Sequence, residues 1–183
     1  MKTGILISGY GGQGVMLAGT LLCYAGISEG REVTFFPSYG AEMRGGTANC
    51  QVIISDSPIG SPVVSEPDIL ICLNAPSWDR FAVKTPEGGL IVANSSLVKN
   101  REKAAPGTAV YIPANNIAEE CGSVLSANVV LLGAMSRLSG TVSIGSIKES
   151  IPPLMSGRKK GLAEINIRAA EAGYKAAAGA GDD

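Results

Sequence analysis

Residues 8–22, SGYGGQGVMLAGTLL, place a glycine-rich turn, Gly9-Tyr10-Gly11-Gly12-Gln13-Gly14, directly before an apolar, small-residue stretch. The skeleton is G-x-G-x-x-G, the pattern of a loop that holds phosphate. Its glycines permit a tight turn, close approach of an anion to backbone N–H groups, and close packing of whatever helix follows. A helix opening near Gly14 would aim its positive end at that anion. The pattern also suits a strand–helix turn that holds nothing, but its place between a strand and a helix favours a ligand. No Gly-Lys-Ser/Thr follows, so this is not a Walker-type loop.

A dinucleotide would also need a carboxylate at the end of the second strand, to hold the ribose hydroxyls. That strand ends in TFFPSYG, so Phe35, Phe36, Pro37 and Ser38 stand where the acid should be. Glu32 lies at the opposite end of the strand. This counts against NAD and leaves open another phosphate-bearing ligand.

A second concentration of chemistry is PSYGAEMRGGTAN, residues 37–49. It leaves the same sheet edge as the glycine loop, the edge along which open α/β sheets bind ligands. Ser38, Tyr39, Glu42, Arg44 and the pair Gly45-Gly46 fall within nine residues. Arg44 can fork onto a phosphate or a partner's carboxylate. The plainer reading is a surface loop whose charges face solvent. A third stretch, LNAPSWDRF, puts Asn74 at the end of a strand, where capping the next helix is its expected role. Trp78, the one tryptophan, reads as a packing or interface anchor. The basic cluster SGRKK at 156–160 reads as a solvated helix start.

What the chain lacks narrows the chemistry. There is no histidine, which removes Ser-His-Asp and Cys-His catalysis and histidine metal ligation. Cys23, Cys50, Cys72 and Cys121 are spread singly without C-x-x-C spacing, so no zinc site or iron–sulfur cluster is expected. Net charge is −1 with no long basic run, which argues against nucleic acid. Charged residues make up 17% of the chain, below the ~25% usual in soluble domains. With a mean hydropathy of +0.23, this suggests outer surface buried against partner chains. No apolar run approaches the ~20 residues of a membrane span. The opening MKTGILISGYGG is too soon glycine-rich for a signal peptide, so a cytoplasmic location is expected.

The elements that must position these residues follow from periodicity. Strands are expected at 3–9, 30–38, 47–56, 67–74, 87–96 and 108–114, the second stopping at Pro37. Helices are expected at 14–28, 76–84, 114–122, 126–140, 143–151 and 159–179, the last burying Leu162, Ile165, Ala169, Ala172 and Ala176. Gly19 and Gly26 make sense if the first helix packs closely on the sheet. The first three elements read as a βαβ unit. The 37–47 connection has no obvious helix, which would let the third strand run antiparallel. The fold class is therefore α/β: one domain over 1–183, with a Rossmann-like, mostly parallel sheet flanked by helices and a helical C-terminal end.

Together, GYGGQGVMLAG at 9–19 and PSYGAEMRGGTANCQVIISD at 37–56 resemble the gamma subunit, or gamma domain, of 2-oxoacid:ferredoxin (acceptor) oxidoreductases. The likeness spans nearly the whole chain. It implies a complex whose alpha and beta chains bind thiamine diphosphate, magnesium and iron–sulfur clusters. That complex decarboxylates a 2-oxoacid, passes two electrons to ferredoxin and transfers the acyl group to coenzyme A. A ferredoxin-like delta chain is left open. The gamma part is implied to carry no catalytic residue, thiamine or cluster, and to cover the active site and help bind coenzyme A. On this resemblance Gly9, Gly11, Gly12, Gln13 and Gly14 are expected at the coenzyme's phosphates, with Ser38, Tyr39 and Arg44 completing the pocket or docking on the catalytic chains. A short, separate gamma chain favours 2-oxoglutarate or a branched-chain acid over pyruvate. The rival is a stand-alone nucleotide-binding or regulatory α/β protein.

Overall fold

The computed structural model describes residues 1–39, 47–99, 105–155 and 160–179. Glu42, Arg44, the pair Gly45-Gly46 and most of the 156–160 cluster lie outside the described residues, as do the side chains of Tyr39 and Lys160. The strands are β1 (Lys2–Tyr10), β2 (Glu32–Tyr39), β3 (Thr47–Ser55), β4 (Ile69–Cys72), β5 (Leu90–Asn94) and β6 (Thr108–Ile112). The helices are α1 (Val15–Ser28), α2 (Ala75–Phe81), α3 (Ala114–Glu120), α4 (Ala127–Ser139), α5 (Ile144–Leu154) and α6 (Lys160–Ala178).

The six strands form one sheet in the order β2-β3-β1-β4-β5-β6. β1, β4, β5 and β6 are parallel neighbours. β3 pairs antiparallel with both β1 and β2. Five of these strands thus point one way and β3 runs back, the antiparallel direction that the sequence of 37–47 left open. This revises the βαβ reading: β1 and β2 are parallel in direction, but β3 is inserted between them. β2 continues through Pro37 to Tyr39. It is the edge strand, where a missing N–H leaves no ladder position empty.

Two clusters hold the sheet. On one face Ile5, Ile7, Val52, Ile54, Ile71 and Val92 pack with Leu21, Leu22, Val129, Leu131 and Ile147 from the helices. On the other, Leu6, Leu70 and Ile91 pack with Trp78, Phe81 and Ala82 from α2 and the turn after it. The α2 face is therefore thin. α4 is buried on all sides from Ala127 to Ser136, as a central helix must be.

α1 lies close on the sheet for the expected reason. A Cβ on Gly19 would stand 2.6 Å from both Cys50 Sγ and a Phe35 ring carbon, and one on Gly26 would stand 2.9 Å from Val33. The buried face of α6 differs from the expected one. It comprises Asn166, Ala169, Ala170, Gly173 and Ala177, with Leu162, Ile165, Ala172 and Ala176 only half-buried. The cause is a backbone-to-backbone crossing with α4: a Cβ on Gly133 would collide with the Ala170 carbonyl, and one on Gly173 with the Val130 carbonyl. The face is selected by small size rather than by hydrophobicity.

Candidate functional site

β1 ends at Tyr10, and the chain turns at once. The Gln13 N–H donates to the Tyr10 carbonyl at 3.1 Å, closing a four-residue turn. Gly12 is its third residue and has φ +100°, the position that demands glycine in a type II turn. Gly14, at φ +73°, then caps α1 with no side-chain hydrogen bond to the helix's first N–H groups. The first turn of α1 carries no acidic residue. A fourteen-residue helix thus opens at the C-terminal end of the sheet with uncapped amides, which is an anion-binding geometry.

Gly9 and Gly14 also have packing reasons to be glycine. A Cβ on Gly9 would lie 2.9 Å from Gln13 Oε1 and 3.1 Å from Leu73. One on Gly14 would run into the Asn128 amide. A Cβ on Gly12 would meet nothing within 4 Å.

The turn is fastened to the neighbouring strand. Gln13 Oε1 accepts from the Tyr10 N–H at 2.7 Å and from Asn74 Nδ2 at 2.8 Å. Asn74 follows β4, is buried, and its Oδ1 accepts from the Ser77 N–H at 3.0 Å. It therefore caps α2, as expected, and with its other end holds the glycine turn. Beneath this, the buried Ser8 hydroxyl donates to the Ser77 hydroxyl at 2.9 Å, joining the end of β1 to α2.

The same construction repeats one strand further out. Asn94, at the end of β5, is buried. Its Nδ2 donates to Asn115 Oδ1 at 2.9 Å and to the Leu73 carbonyl at 3.3 Å. Its Oδ1 accepts from the N–H groups of Ser96 and Ala114, both at 3.2 Å. From the start of α4, buried Asn128 donates Nδ2 to the Gly14 carbonyl at 2.9 Å, while its Oδ1 is buried without a partner. Asn94, Asn115 and Asn128 were not singled out from sequence. The first two had a faint signal, since asparagine after a strand or at a helix start marks a cap.

These residues border a cleft of about 170 Å³ at the point where the strand order reverses. Gly12, Gln13, Leu73, Asn94, Asn115 and the exposed Val124 and Leu125 line it. Among the described residues no titratable side chain does so. The arrangement can bind and orient a ligand through amide and backbone groups. The nearby thiols are equally quiet: burial pushes Cys72 and Cys50 up to about 12.

The other expected residues stand apart from the loop. Ser38 pairs in register with Asn49, and Asn49 with Ser8, so Ser38 is level with the end of β1 but two strand spacings away, about 10 Å. Tyr39 is level with Gly9 through Ala48. Arg44 lies outside the described residues. The structure brings Gly9–Gly14 together and places Ser38 and the Tyr39 backbone farther along the same rim. Among the described residues no group of three or more His, Cys, Asp or Glu is placed to hold a metal ion, and no helix is long and apolar enough to cross a membrane.

Residues 4–176 match the family described as pyruvate ferredoxin/flavodoxin oxidoreductase. The chain is 38% identical to the 2-oxoglutarate synthase subunit KorC of Methanocaldococcus jannaschii, over 97% of this chain and 95% of that protein. It is 41% identical to the ketoisovalerate oxidoreductase subunit VorA of Methanothermobacter thermautotrophicus, over 92% of this chain but spanning only 35% of that protein's length. Among solved structures, the gamma subunit of a keto/oxoacid ferredoxin oxidoreductase from Geobacter sulfurreducens superimposes with a TM-score of 0.85 at 31% identity, covering 98% of both chains. The 2-oxoglutarate:ferredoxin oxidoreductase of Magnetococcus marinus, solved with 2-oxoglutarate, coenzyme A and succinyl-CoA bound, gives 0.87 at 26% identity over 97% of this chain and 31% of that one. The chain therefore belongs to the pyruvate ferredoxin/flavodoxin oxidoreductase family, in its gamma-subunit class.

Proposed function

We propose that this chain serves a cytoplasmic complex that oxidatively decarboxylates a 2-oxoacid to an acyl-coenzyme A, with ferredoxin as electron acceptor, and that its part is to bind coenzyme A at the glycine turn. The observation that carries the reading is the uncapped start of α1 behind the Tyr10–Gln13 turn, at the switch point of the sheet. Backbone N–H groups there suit a phosphate of the coenzyme, and no ribose-binding carboxylate is required. Gly11, Gly12, Gln13 and Gly14 form this contact. Ser38, Tyr39 and Arg44 are assigned to completing the pocket or docking on the alpha and beta chains. Thiamine diphosphate, magnesium and the iron–sulfur clusters belong to those partner chains, which perform the carbon and electron chemistry. Recognition of the oxoacid belongs to them too.

The test is Gly11→Asp in the purified complex. Gly11 is exposed and is not among the glycines at positive φ, so the substitution leaves the turn's backbone intact. A carboxylate there repels a phosphate. The apparent KM for coenzyme A should rise about tenfold or more, the order of one lost charge-assisted contact, with the KM for the oxoacid unchanged. An unchanged KM for coenzyme A would remove the loop from its binding site.

A further inference from the structure

Helix α1 has the composition of a buried helix but a bare outer surface. None of its residues, VMLAGTLLCYAGIS, is charged, as in a helix covered on every side. Yet Ile27 and Tyr24 are 61% and 48% exposed. Its buried face runs from Leu21 and Ala25 through Val15 and Leu22 to Gly19 and Gly26, which rest on Phe35 and Val33 of β2. The next residues round the helix in that direction are Cys23, Met16 and Ile27, on the flank beside the open edge of β2.

The backbone of that edge can be read from the ladders. The Asp56 N–H donates to the Met1 carbonyl at 2.9 Å, which sets the phase of β1 against β3, so Cys50 turns its backbone groups toward Ile7. Pro37, opposite Cys50 on the other side, therefore turns its own outward, as do Phe35 and Val33. Val33 and Phe35 each present an N–H and a carbonyl, and Pro37 a carbonyl alone. Phe35 and Phe36 are 37% and 42% exposed on the two faces of this strand. An edge that carries bare phenylalanines and open backbone groups is a template for another strand.

The surface suits a copy of itself. A two-fold axis sets each residue near its own image, so a charge beside the axis would be repelled by itself. Neither α1 nor residues 33–38 carry one. In antiparallel pairing centred on Phe35, the two Phe35 residues exchange N–H···O bonds and each Val33 N–H reaches the Pro37 carbonyl of the second copy. Thr34 then stands opposite Phe36 of the second copy, a favourable β-branched–aromatic pair. Ile27, Phe35 and Phe36 alone offer about 300 Å² of bare side chain toward the ~800 Å² that each partner of a stable dimer buries. The edge backbone and the half-buried Met16, Thr20 and Cys23 add to it.

We propose that β2 pairs with β2 of a second copy of this chain about a two-fold axis at Phe35, making one continuous sheet with the two α1 helices side by side across it. The inference does not depend on the coenzyme reading. The glycine turn follows β1, two strands in from the edge, and the pairing leaves it open.

The experiment measures the mass of the full chain by sedimentation and then follows the intact complex. The chain should sediment as a dimer. Ile27→Glu places like charges beside the axis at an exposed position, so it should raise the dimer dissociation constant about tenfold or more without loss of helix by circular dichroism. Val83→Glu, at a similarly exposed residue after α2, should leave the dimer unchanged. In the intact complex, Phe35→Cys, made with Cys23→Ala so that no native half-buried thiol flanks the axis, should give a disulfide-linked pair of this chain on treatment with diamide, because paired Cα atoms there are about 5.5 Å apart. A parent chain that is monomeric at every concentration overturns the proposal. So does a dimer that resists Ile27→Glu, or a complex in which Phe35→Cys fails to link. If Ile27→Glu instead releases the catalytic chains, the face belongs to them and the second copy is excluded.

Discussion

Gln13 Oε1 stands 2.8 Å from Asn74 Nδ2, so the glycine turn after β1 is tied to the helix cap after β4. The two residues are 61 apart in sequence and meet where the order of strands reverses. This bond makes the turn a fixed cradle, because the same oxygen also holds the Tyr10 N–H.

Gln13→Ala removes the acceptor from both groups, and the buried Asn74 amide loses its partner. The cost is about 1–2 kcal/mol, read as a lower urea midpoint with unchanged slope. Gln13→Glu keeps an acceptor in place and should hold the midpoint within about 0.5 kcal/mol of the parent. Equal midpoints for Gln13→Ala and the parent would mean that the turn is set by its backbone alone.

The α4–α6 crossing predicts opposite signs for the same substitution. Gly133→Ala or Gly173→Ala drives a methyl into a backbone carbonyl of the facing helix, so each should destabilise by more than about 2 kcal/mol. Gly161→Ala, also in α6, meets nothing within 4 Å and should stabilise by about 0.5–1 kcal/mol. Thermal midpoints of the three variants give the comparison.

This crossing also marks a limit of what the sequence makes legible. All six strands, the helical finish and the turn at Gly9–Gly14 can be read from short apolar runs and punctuation, because those signals are local. Periodicity alone finds a helix at 159–179 but selects the larger residues Leu162 and Ile165 for its buried face. Gly173 faces the Val130 carbonyl and Gly133 the Ala170 carbonyl, a pairing known only once the helices are placed. Pro37 misleads in a similar way: it reads as a stop, and only the edge position of β2 makes it harmless. At the site, the glycines are plain in the sequence. The Asn74–Gln13 and Asn94–Asn115 pairs are not, since each joins loops that depend on the sheet order.

The two positive-φ glycines of the turn should differ in cost. Gly12→Ala meets no neighbour and carries only backbone strain, about 1–2 kcal/mol. Gly14→Ala adds to that strain a collision with Asn128, whose amide holds the Gly14 carbonyl. Its denaturation midpoint should fall further, and pairing it with Asn128→Ala should recover the difference between the two variants. No recovery would show that the Gly14 conformation, and not Asn128, sets the requirement.

Thiol chemistry gives a check on the sheet core. With Cys50 and Cys72 pushed up to about 12 by burial, roughly one thiol in ten thousand would be ionised at pH 8. The native chain should leave both unmodified by a disulfide reagent at that pH, and denaturant should expose them. Rapid labelling of Cys50 in the native state would contradict the packing of α1 on β3.

Acid should act through the contact between the end of α1 and the start of α5. Burial alone would raise the Glu29 carboxyl, but the Ser143 N–H at 2.7 Å, the Ser146 and Ser143 hydroxyls and the Arg31 charge together bring it below its ordinary value of 4.5. The folded state therefore holds this proton less tightly than the unfolded state. The stabilisation is complete above pH 4.5 and is lost as the pH falls through the lower folded value. Glu29→Gln keeps an acceptor for Ser143 and loses the charge at the start of α5. Its urea midpoint should be lower than the parent's at pH 7, and the gap should close as the pH drops below 4.5. A gap that stayed constant down to pH 3 would assign the effect to side-chain shape and remove Glu29 from the acid response.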